Sequence, residues 1–296
     1  MTPISFIINT SRNEREYITL LLTSLLNGID INIHEIIIFI DSDNQNTTNF
    51  LLEQKNLFPN LKIVKNNGNP IGYASNSNWL ISHAKHEIIS YIQSDMIVCL
   101  EYDKKILSHL TDNIILSSCR VEPPLHAINS NSITHVKNFG LTPSEFEYEK
   151  FLSFAETVKD STKLSNYFFA PFSTYKKNWL NIGGYDIKFL KSREDSDIAL
   201  RFALNNTPLI QCYDAIVYHF TCTSSRQWAI KENRNKNINT NNDEIELDRF
   251  IKKWGVFVHA TTLDADLKKY IEKYPILLNQ IIVKNSPIDE SNFEFL

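Results

Sequence analysis

Acidic and histidine side chains stand where apolar segments of the chain end. The apolar run 88–92 is followed by Asp95, and a second apolar segment ends at His219. Between them in the chain, Glu194 and Asp195 form a pair of neighbouring carboxylates. Carboxylate oxygens and imidazole nitrogens bind divalent cations, and a further carboxylate can remove a proton from a reacting hydroxyl. These residue types predict a metal-assisted transfer site in which Asp95 and His219 hold the metal.

The segments around these residues alternate between strand and helix in the amino-terminal part of the chain. Strands are predicted at 4–9, 35–40, 61–65 and 86–93, and helices at 18–29, 49–55 and 72–84. The run 88–92 lacks polar alternation, which is typical of a parallel strand covered on both faces. The pattern predicts an α/β fold with a doubly wound, mostly parallel sheet flanked by helices. Ligands of such sheets bind beyond the carboxyl ends of the strands. That edge would hold Thr10, Asp41, Asn66 and Asp95.

The remaining sequence predicts fewer regular elements. Strands are predicted at 168–175 and 214–220, helices at 144–158 and 194–204, and a helical turn at 177–182. Residues 121–142 contain turn-forming side chains and have no clear period. The Asn-rich run 233–242 predicts a mobile loop, and 245–296 predicts helices packed on the edge of the domain. We therefore expect a catalytic domain at 1–225 and a carboxyl-terminal loop and helical extension at 226–296.

Size and charge exclude several classes of protein. A chain of 296 residues can bury a full α/β core, and its net charge of −4 gives no general attraction for nucleic acid. No apolar run reaches the roughly 20 residues that span a bilayer, and the amino terminus does not resemble a signal peptide. The four cysteines lack the C-x-x-C spacing of a zinc site. The sequence predicts a cytoplasmic protein, and a peripheral contact with a membrane is compatible with it.

Two motifs give the chain a family resemblance. The loop Gly183, Gly184, Tyr185, Asp186, followed by Glu194 and Asp195, is similar to a motif of the family 2 glycosyltransferases, which have the GT-A fold. That family also holds a divalent ion on a strand-end Asp-x-Asp or Ser-Asp motif, and this chain has Gln93, Ser94 and Asp95 there. The resemblance covers about residues 3–220. It implies an enzyme that moves a sugar from a nucleotide onto an acceptor.

The resemblance also implies roles for individual residues. Asp195 is expected to be the general base, with Glu194 in support, and Asp41 is expected to accept a hydrogen bond from the nucleotide base. Thr10, Asn66, Gln93, Ser94 and Arg226 are assigned to the nucleotide, and Gly184, Asp186, Asp197 and Trp228 to the sugar or acceptor. Mn²⁺ or Mg²⁺ is expected at Asp95 and His219, and the imidazole favours Mn²⁺. The alternatives are structural: a turn formed by Asp41 and Asp43, and a helix start favoured by Glu194 and Asp195.

The substrates are predicted only by class. The position of Asp41 favours a UDP-sugar or dTDP-sugar donor, and the acceptor is a glycan, a lipid-linked group or a protein. The resemblance favours inversion at the sugar carbon. The competing hypothesis is a catalytically silent nucleotide- or sugar-binding protein of the same fold, because Gln93 and Ser75 depart from the family pattern. A nucleotidyltransferase is not favoured, since no Gly-rich loop follows the first strand.

Overall fold

One mixed β-sheet with helices on its faces forms the body of the protein. The computed structural model describes residues 1–11, 14–43, 46–124, 134–189, 192–221, 236–255 and 280–296, with 236–244 described by their backbone alone. Within these residues the sheet has eleven strands. Most neighbouring strands in its amino-terminal half are parallel, which confirms the predicted α/β class.

The elements have the following bounds. The strands are β1 (Ile4–Thr10), β2 (Glu35–Ile40), β3 (Leu61–Asn66), β4 (Ile88–Gln93), β5 (Met96–Val98), β6 (Ile115–Glu122), β7 (Thr134–Val136), β8 (Asp160–Asn166), β9 (Phe172–Tyr175), β10 (Leu209–His219) and β11 (Phe293–Phe295). The helices are α1 (Arg15–Gly28), α2 (Thr47–Gln54), α3 (Tyr73–His83), α4 (Tyr102–His109), α5 (Tyr148–Val158), α6 (Lys176–Asn181), α7 (Glu194–Leu204) and α8 (Lys236–Trp254). A 3₁₀ turn occupies Pro143–Glu145.

The strand order brings the carboxyl ends of many strands to one edge of the sheet. The order is β11-β3-β2-β1-β4-β9-β6-β10-β5, with β7 beside β6 and β8 beside β10. Strands β3, β2, β1 and β4 are parallel to one another. Strand β9 is antiparallel to both β4 and β6, so β6 and its parallel neighbour β10 point the same way as β4. The residues that end these strands therefore meet at one edge.

Burial explains why the amino-terminal half was predictable. All residues of β2 are buried, and α1 buries a stripe that includes Leu21, Leu22 and Leu25. Each fully buried aliphatic side chain of this kind contributes about 1.5–3 kcal/mol. Helix α1 packs on the sheet beside β5.

The predicted element bounds differ from the structure in the second half of the chain. Strand β9 begins at Phe172 instead of 168, because Pro171 has no N–H to donate to a neighbouring strand. Strand β10 begins at Leu209, earlier than the predicted 214. The sequence patterns also did not predict β5, β6, β7, β8, β11 or α4.

The carboxyl-terminal prediction was wrong in two places. Residues 236–242, predicted as loop, belong to α8, where burial of Phe250 and Trp254 outweighs the low helix propensity of asparagine. Residues 281–292, predicted as helix, run without regular helix to β11, which pairs antiparallel with β3. The division into domains stays a prediction. In the part of the chain that the structure describes, no helix is long and apolar enough to cross a membrane.

Candidate active site

Asp95, Glu122 and His219 meet at the carboxyl edge of the sheet, and we call them the strand-end cluster. Nε2 of His219 lies 3.7 Å from Oδ2 of Asp95. On the other side of the ring, Nδ1 of His219 lies 2.8 Å from Oε1 of Glu122. The Phe220 N–H donates to the Asp95 carbonyl at 3.1 Å, which ties the end of β10 to the turn after β4. The structure thus brings together the two predicted metal ligands.

Glu122 fixes which nitrogen of His219 carries a proton. A carboxylate only accepts hydrogen bonds, so Nδ1 must donate to Glu122, and Nε2 is then the atom that faces Asp95. Burial raises the pKa of Glu122, but the hydrogen bond from His219 and the charge of Arg120 outweigh it and lower the pKa to about 2. Glu122 is therefore an ionised partner of the histidine. A carboxylate behind a metal-binding histidine is a common arrangement.

Glu14 supports the turn that presents Asp95. Its Oε2 accepts hydrogen bonds from the Ser11 N–H at 2.8 Å and from the Ser94 hydroxyl at 2.9 Å. Burial raises the pKa of Glu14 to about 7; the bond from Ser94 opposes the rise and the charge of Asp95 adds to it. Ser94, predicted to meet the nucleotide, therefore lies at the site with its hydroxyl bonded to Glu14.

Asp41 holds the loop between β3 and α3. Its Oδ1 accepts from the Ile71 N–H at 2.9 Å and from Nδ2 of Asn66 at 3.2 Å. Its Oδ2 accepts from the Gly72 N–H at 2.9 Å. The two predicted nucleotide residues Asp41 and Asn66 are thus in contact at the same edge of the sheet, and three of the roughly four acceptor positions of the carboxylate are used.

The other predicted nucleotide residues lie nearby or outside the described residues. Thr10 is buried at the end of β1, and its carbonyl accepts from the Asp41 N–H at 3.0 Å. Gln93 is half-buried at the end of β4, in register with the end of β1. Arg226 and Trp228 lie outside the residues that the structure describes. Asp43 accepts from two backbone N–H groups at the start of α2, at 2.9 Å each, so the turn-forming role suggested for Asp41 and Asp43 is seen at Asp43.

Asp195, the predicted base, is joined to the sheet by a chain of tyrosines. The Tyr185 hydroxyl donates to Oδ1 of Asp195 at 3.1 Å and lies 3.4 Å from the hydroxyl of Tyr73. The Tyr73 ring packs against Tyr91 of β4 with ring centres 5.6 Å apart. Burial raises the pKa of Tyr91, and the charges of both Asp195 and Asp95 raise it further. Tyr91 therefore lies within the electrostatic reach of both acids.

Glu194 differs from its neighbour in protonation. Burial, and then the charge of Asp195, raises the pKa of Glu194 above its usual value. Its Oε2 is shielded from solvent and has no hydrogen-bond partner among the described residues. The N-cap residue Arg193 makes no capping hydrogen bond, so the acids of the first turn favour the helix start through their charge. With its raised pKa, Glu194 therefore binds a proton more readily than an ordinary glutamate.

Asp197, which was predicted to contact the sugar or the acceptor, is engaged in buried contacts instead. Its side chain is fully buried and accepts from Nε of Arg201 at 2.8 Å and from Nε1 of Trp254 at 2.8 Å. No carboxylate oxygen is exposed for a sugar, which corrects the predicted role. Asp186 is likewise engaged, with its Oδ2 2.8 Å from Nζ of Lys253. Burial raises the pKa of Asp186, but the hydrogen bond from Lys253 and the charge of Lys253 outweigh it and lower that pKa.

Gly184 belongs to a tightly held turn, which we call the glycine loop (183–186). A Cβ at Gly184 would lie 2.2 Å from Oδ1 of Asn78, and the backbone there has φ of +69°. Asn78 bonds to both the N–H and the carbonyl of Tyr185, each at 2.8 Å. On the other side, Nδ2 of Asn285 donates to the Tyr185 carbonyl at 2.8 Å. Gly184 is therefore required for the shape of the loop that aims Tyr185 at Asp195.

Sequence patterns missed some residues of the site. Glu122, Glu14 and Tyr73 were not predicted, and Tyr185 was noted only as part of a motif. Glu14 carried a usable signal, because an acid at a helix start beside a strand end is well placed for the site. Glu122 ends a strand whose centre, Ser117 and Ser118, hides the apolar pattern.

Comparisons with known proteins show the family and the fold of the chain. The sequence profile of glycosyl transferase family 2 matches residues 6–178, more than half of the chain. No curated protein sequence matches the chain. Among solved structures, the mannosyltransferase PcManGT from Pyrobaculum calidifontis, in complex with GDP-Man and Mn²⁺, has a TM-score of 0.58 at 15% identity, over 94% of this chain and 72% of that one.

Further similar structures have the same fold. S. aureus TarS 1–349 has a TM-score of 0.52 at 15% identity, over 95% of this chain and 83% of that one. GalNAc-T7 with UDP, GalNAc and Mn²⁺ has a TM-score of 0.56 at 16% identity. The match covers 73% of this chain and 42% of the GalNAc-T7 chain, so this chain spans less than half of that protein's length. At these identities the likeness establishes the fold, and the profile match establishes the family. The chain belongs to glycosyl transferase family 2 and has the GT-A fold of its glycosyltransferases.

Proposed function

We propose that the protein transfers a sugar from a nucleoside diphosphate sugar to an acceptor hydroxyl with inversion, and that it uses a divalent cation. The observation that carries this proposal is the arrangement of His219, whose Nδ1 donates to Glu122 while Nε2 faces Asp95 at 3.7 Å. The 3.7 Å between Nε2 and Oδ2 of Asp95 is too long for a hydrogen bond. Nε2 of His219 and the carboxylate of Asp95 therefore face each other near the carboxyl ends of β10 and β4.

The strand-end cluster fits a divalent cation. Asp95 supplies a hard oxygen and His219 an imidazole nitrogen, a set that suits Mn²⁺ better than Mg²⁺. The described residues contain no group of three or more His, Cys, Asp or Glu side chains arranged for a metal, so the diphosphate and water would complete the coordination. When bound, the cation would neutralise the negative charge that develops on the departing diphosphate. PcManGT and GalNAc-T7 have been crystallised with Mn²⁺, which supports this assignment.

The contacts of Asp41 favour a uracil or thymine nucleotide. Its Oδ1 already accepts two hydrogen bonds and its Oδ2 accepts one, which leaves about one acceptor position. Uracil and thymine present a single ring N–H, whereas guanine presents an N–H and an amino group side by side. One remaining acceptor position on Asp41 satisfies the single N–H of uracil or thymine. With guanine it would leave one N–H group unpaired, at a cost of about 1–3 kcal/mol. We therefore propose a UDP-sugar or dTDP-sugar donor.

Asp195 would act on the acceptor. Tyr185 donates to Oδ1 and helps to hold the carboxylate in place, and the carboxylate of Asp195 takes the proton of the acceptor hydroxyl. The deprotonated oxygen forms a bond to the anomeric carbon as the bond from that carbon to the diphosphate oxygen breaks, and the electron pair leaves with the diphosphate. A single displacement of this kind inverts the configuration at the sugar carbon. Burial and the charge of Asp195 raise the pKa of Glu194, so Glu194 binds a proton more readily than an ordinary glutamate.

Thermal denaturation tests the proposal with UDP, alone and with Mn²⁺. We expect Mn²⁺ to increase the stabilisation by UDP, since a ligand at 100 times its Kd adds about 2.7 kcal/mol. His219→Ala should abolish the Mn²⁺-dependent part. The matched control is His109→Ala, because Nε2 of His109 also faces a carboxylate, Oδ1 of Asp214 at 2.9 Å, outside the strand-end cluster. That variant should keep the full Mn²⁺ effect.

Two outcomes would contradict the proposal. An unchanged Mn²⁺ effect in His219→Ala would exclude the proposed metal site. Tighter binding of GDP than of UDP in calorimetry would exclude uracil or thymine as the base of the donor nucleotide. Release of UDP from a UDP-sugar separates an enzyme from a silent binding protein. Wild-type protein with Mn²⁺ should release UDP slowly in water, because water can replace the acceptor, whereas a silent protein would bind UDP without turnover.

A further inference from the structure

Lys253 of α8 joins two acids that belong to different parts of the site. Its Nζ lies 2.8 Å from Oδ2 of Asp186 in the glycine loop and 2.7 Å from Oδ1 of Asp197 in the first turn of α7. The side chain of Lys253 is only 11% exposed, and Asp197 is fully buried. The ammonium also lies over the ring of Phe189, 5.6 Å from its centre. Lys253 is therefore held from several sides.

The Lys253 bridge joins the same two segments as the hydrogen bond between Tyr185 and Asp195. Tyr185 directly precedes Asp186, and Asp195 lies two positions before Asp197. One contact, from Tyr185 to Asp195, reaches the proposed base, and the other joins Asp186 to Asp197 through Lys253. The bridge thus connects the glycine loop to the start of α7 one residue after Tyr185 and two residues after Asp195.

We propose that Lys253 is a positioning residue for Asp195, an inference that rests on the proposed role of Asp195 as general base. Lys253 holds the glycine loop against α7, so that the Tyr185 hydroxyl stays on Oδ1 of Asp195. Loss of the bridge releases the loop from α7. Misplacement of a reacting group by about 1 Å can lower a rate by about 10²-fold. Helix α8 would then help to position the proposed base through the contacts of Lys253 with Asp186 and Asp197.

The charges around Lys253 allow the positioning role to be separated from stability. Two acids, Asp186 and Asp197, face two cations, Lys253 and Arg201, whose Nε donates to Asp197 at 2.8 Å. Lys253→Met leaves a buried negative charge without a partner, which destabilises the fold. Adding Asp186→Asn restores the balance, because Asp197 still pairs with Arg201. The double variant therefore has balanced charges and lacks the ionic bridge.

The test compares Lys253→Met, the Lys253→Met/Asp186→Asn double variant and the control Lys252→Met. Lys252 is adjacent in the helix, and among the described residues its ion pair is an exposed one with Asp248. Each variant is measured for thermal stability and for UDP release, using whichever of UDP-glucose, UDP-galactose and UDP-GlcNAc the wild type hydrolyses fastest with Mn²⁺. We expect the double variant to recover most of the lost stability, to bind UDP normally, and to stay about 10- to 100-fold slow. The control should match the wild type.

A crystal structure of the double variant provides a readout that does not depend on which nucleotide sugar the protein uses. We expect the Tyr185 hydroxyl to have moved beyond 3.5 Å from Asp195, compared with 3.1 Å in the wild type. The inference is overturned if that bond stays within 3.5 Å or if the double variant regains the wild-type rate together with its stability. Asp195→Asn, assayed in parallel, separates the two proposals: undiminished UDP release there would refute the general base, while the crystal structure would still decide the role of Lys253.

Discussion

The hydroxyl of Tyr185 allows the role of Asp195 to be read from the pH dependence of the rate. Tyr185 is fully buried, and its hydroxyl donates to Oδ1 of Asp195 at 3.1 Å. Tyr185→Phe keeps the ring and removes that donor. A hydrogen bond to an ionised group contributes about 1.5–3 kcal/mol, and 1.36 kcal/mol corresponds to one pH unit. The Tyr185 hydroxyl favours the ionised form of Asp195, so loss of this hydroxyl should raise the pKa of Asp195. The acid limb of the rate profile should then move to higher pH by about one to two units.

The assay is UDP release from a UDP-sugar with Mn²⁺, followed from about pH 5 to about pH 9. The loss of rate in Tyr185→Phe should be largest at low pH and should shrink as the pH rises. Tyr102→Phe is the matched control, because the buried Tyr102 hydroxyl lies 2.8 Å from Oγ of Ser118 in the core. It should lower stability and leave the profile in place. If the profiles of Tyr185→Phe and the wild type superimpose, Tyr185 does not act on the catalytic base and our reasoning is refuted.

Further expectations concern the base, the glycine loop and the core. Asp195→Asn should bind UDP and Mn²⁺, melt within a few degrees of the wild type and lose about 10² to 10⁴ in transfer rate; retention of more than about a tenth of the rate would exclude Asp195 as the base. Gly184→Ala should lower the melting temperature, because its Cβ would lie 2.2 Å from Oδ1 of Asn78 at a φ of +69° and backbone strain there costs about 1–3 kcal/mol; an unchanged melting curve would contradict the clash. Burial raises the pKa of Asp103, but the hydrogen bond from His34 and backbone N–H groups outweigh it and hold the pKa below its usual value. This stabilisation is present above the unfolded pKa near 3.8 and is lost as pH falls, so urea unfolding should show Asp103→Asn destabilised at neutral pH and progressively less so in acid.

The parallel half of the fold was predictable because sequence pattern and burial agree there. Residues 36–40 of β2 form an unbroken apolar run and are all buried, and α1 repeats its leucines at helical spacing on one buried face. The alternation of such elements determines on which edge the strand-end residues collect. Asp95 and His219 were therefore predicted together, although they are distant in sequence, because both end strands that point the same way.

Contacts between distant segments could not be predicted from local patterns. Glu122 meets His219 across 97 positions, and β6, which carries it, contains serines that break the apolar run. Lys253 meets Asp186 across 67 positions. Its helix begins in an asparagine-rich segment whose intrinsic preference is against helix, and packing of Trp254 decides the outcome.

Asp197 shows how an acidic cluster can mislead. Glu194, Asp195 and Asp197 share one helical turn, and residue type alone does not separate a base from a buried ion-pair partner. The separating signal was Arg201, four positions after Asp197, a spacing that places opposite charges together on a helix. Burial then excludes Asp197 from contact with a sugar, whereas Asp195 is only half-buried.

The metal site is the central claim, and anomalous diffraction tests it most directly. A crystal of the wild-type protein grown with UDP and Mn²⁺ should show an anomalous peak within coordination distance of a carboxylate oxygen of Asp95 and of Nε2 of His219, with Nδ1 of His219 still bonded to Glu122. The same crystals of His219→Ala should show a weaker peak or none. A fully occupied Mn²⁺ bound elsewhere, or UDP bound beyond the strand ends with His219 and Asp95 both free of metal, would contradict the account.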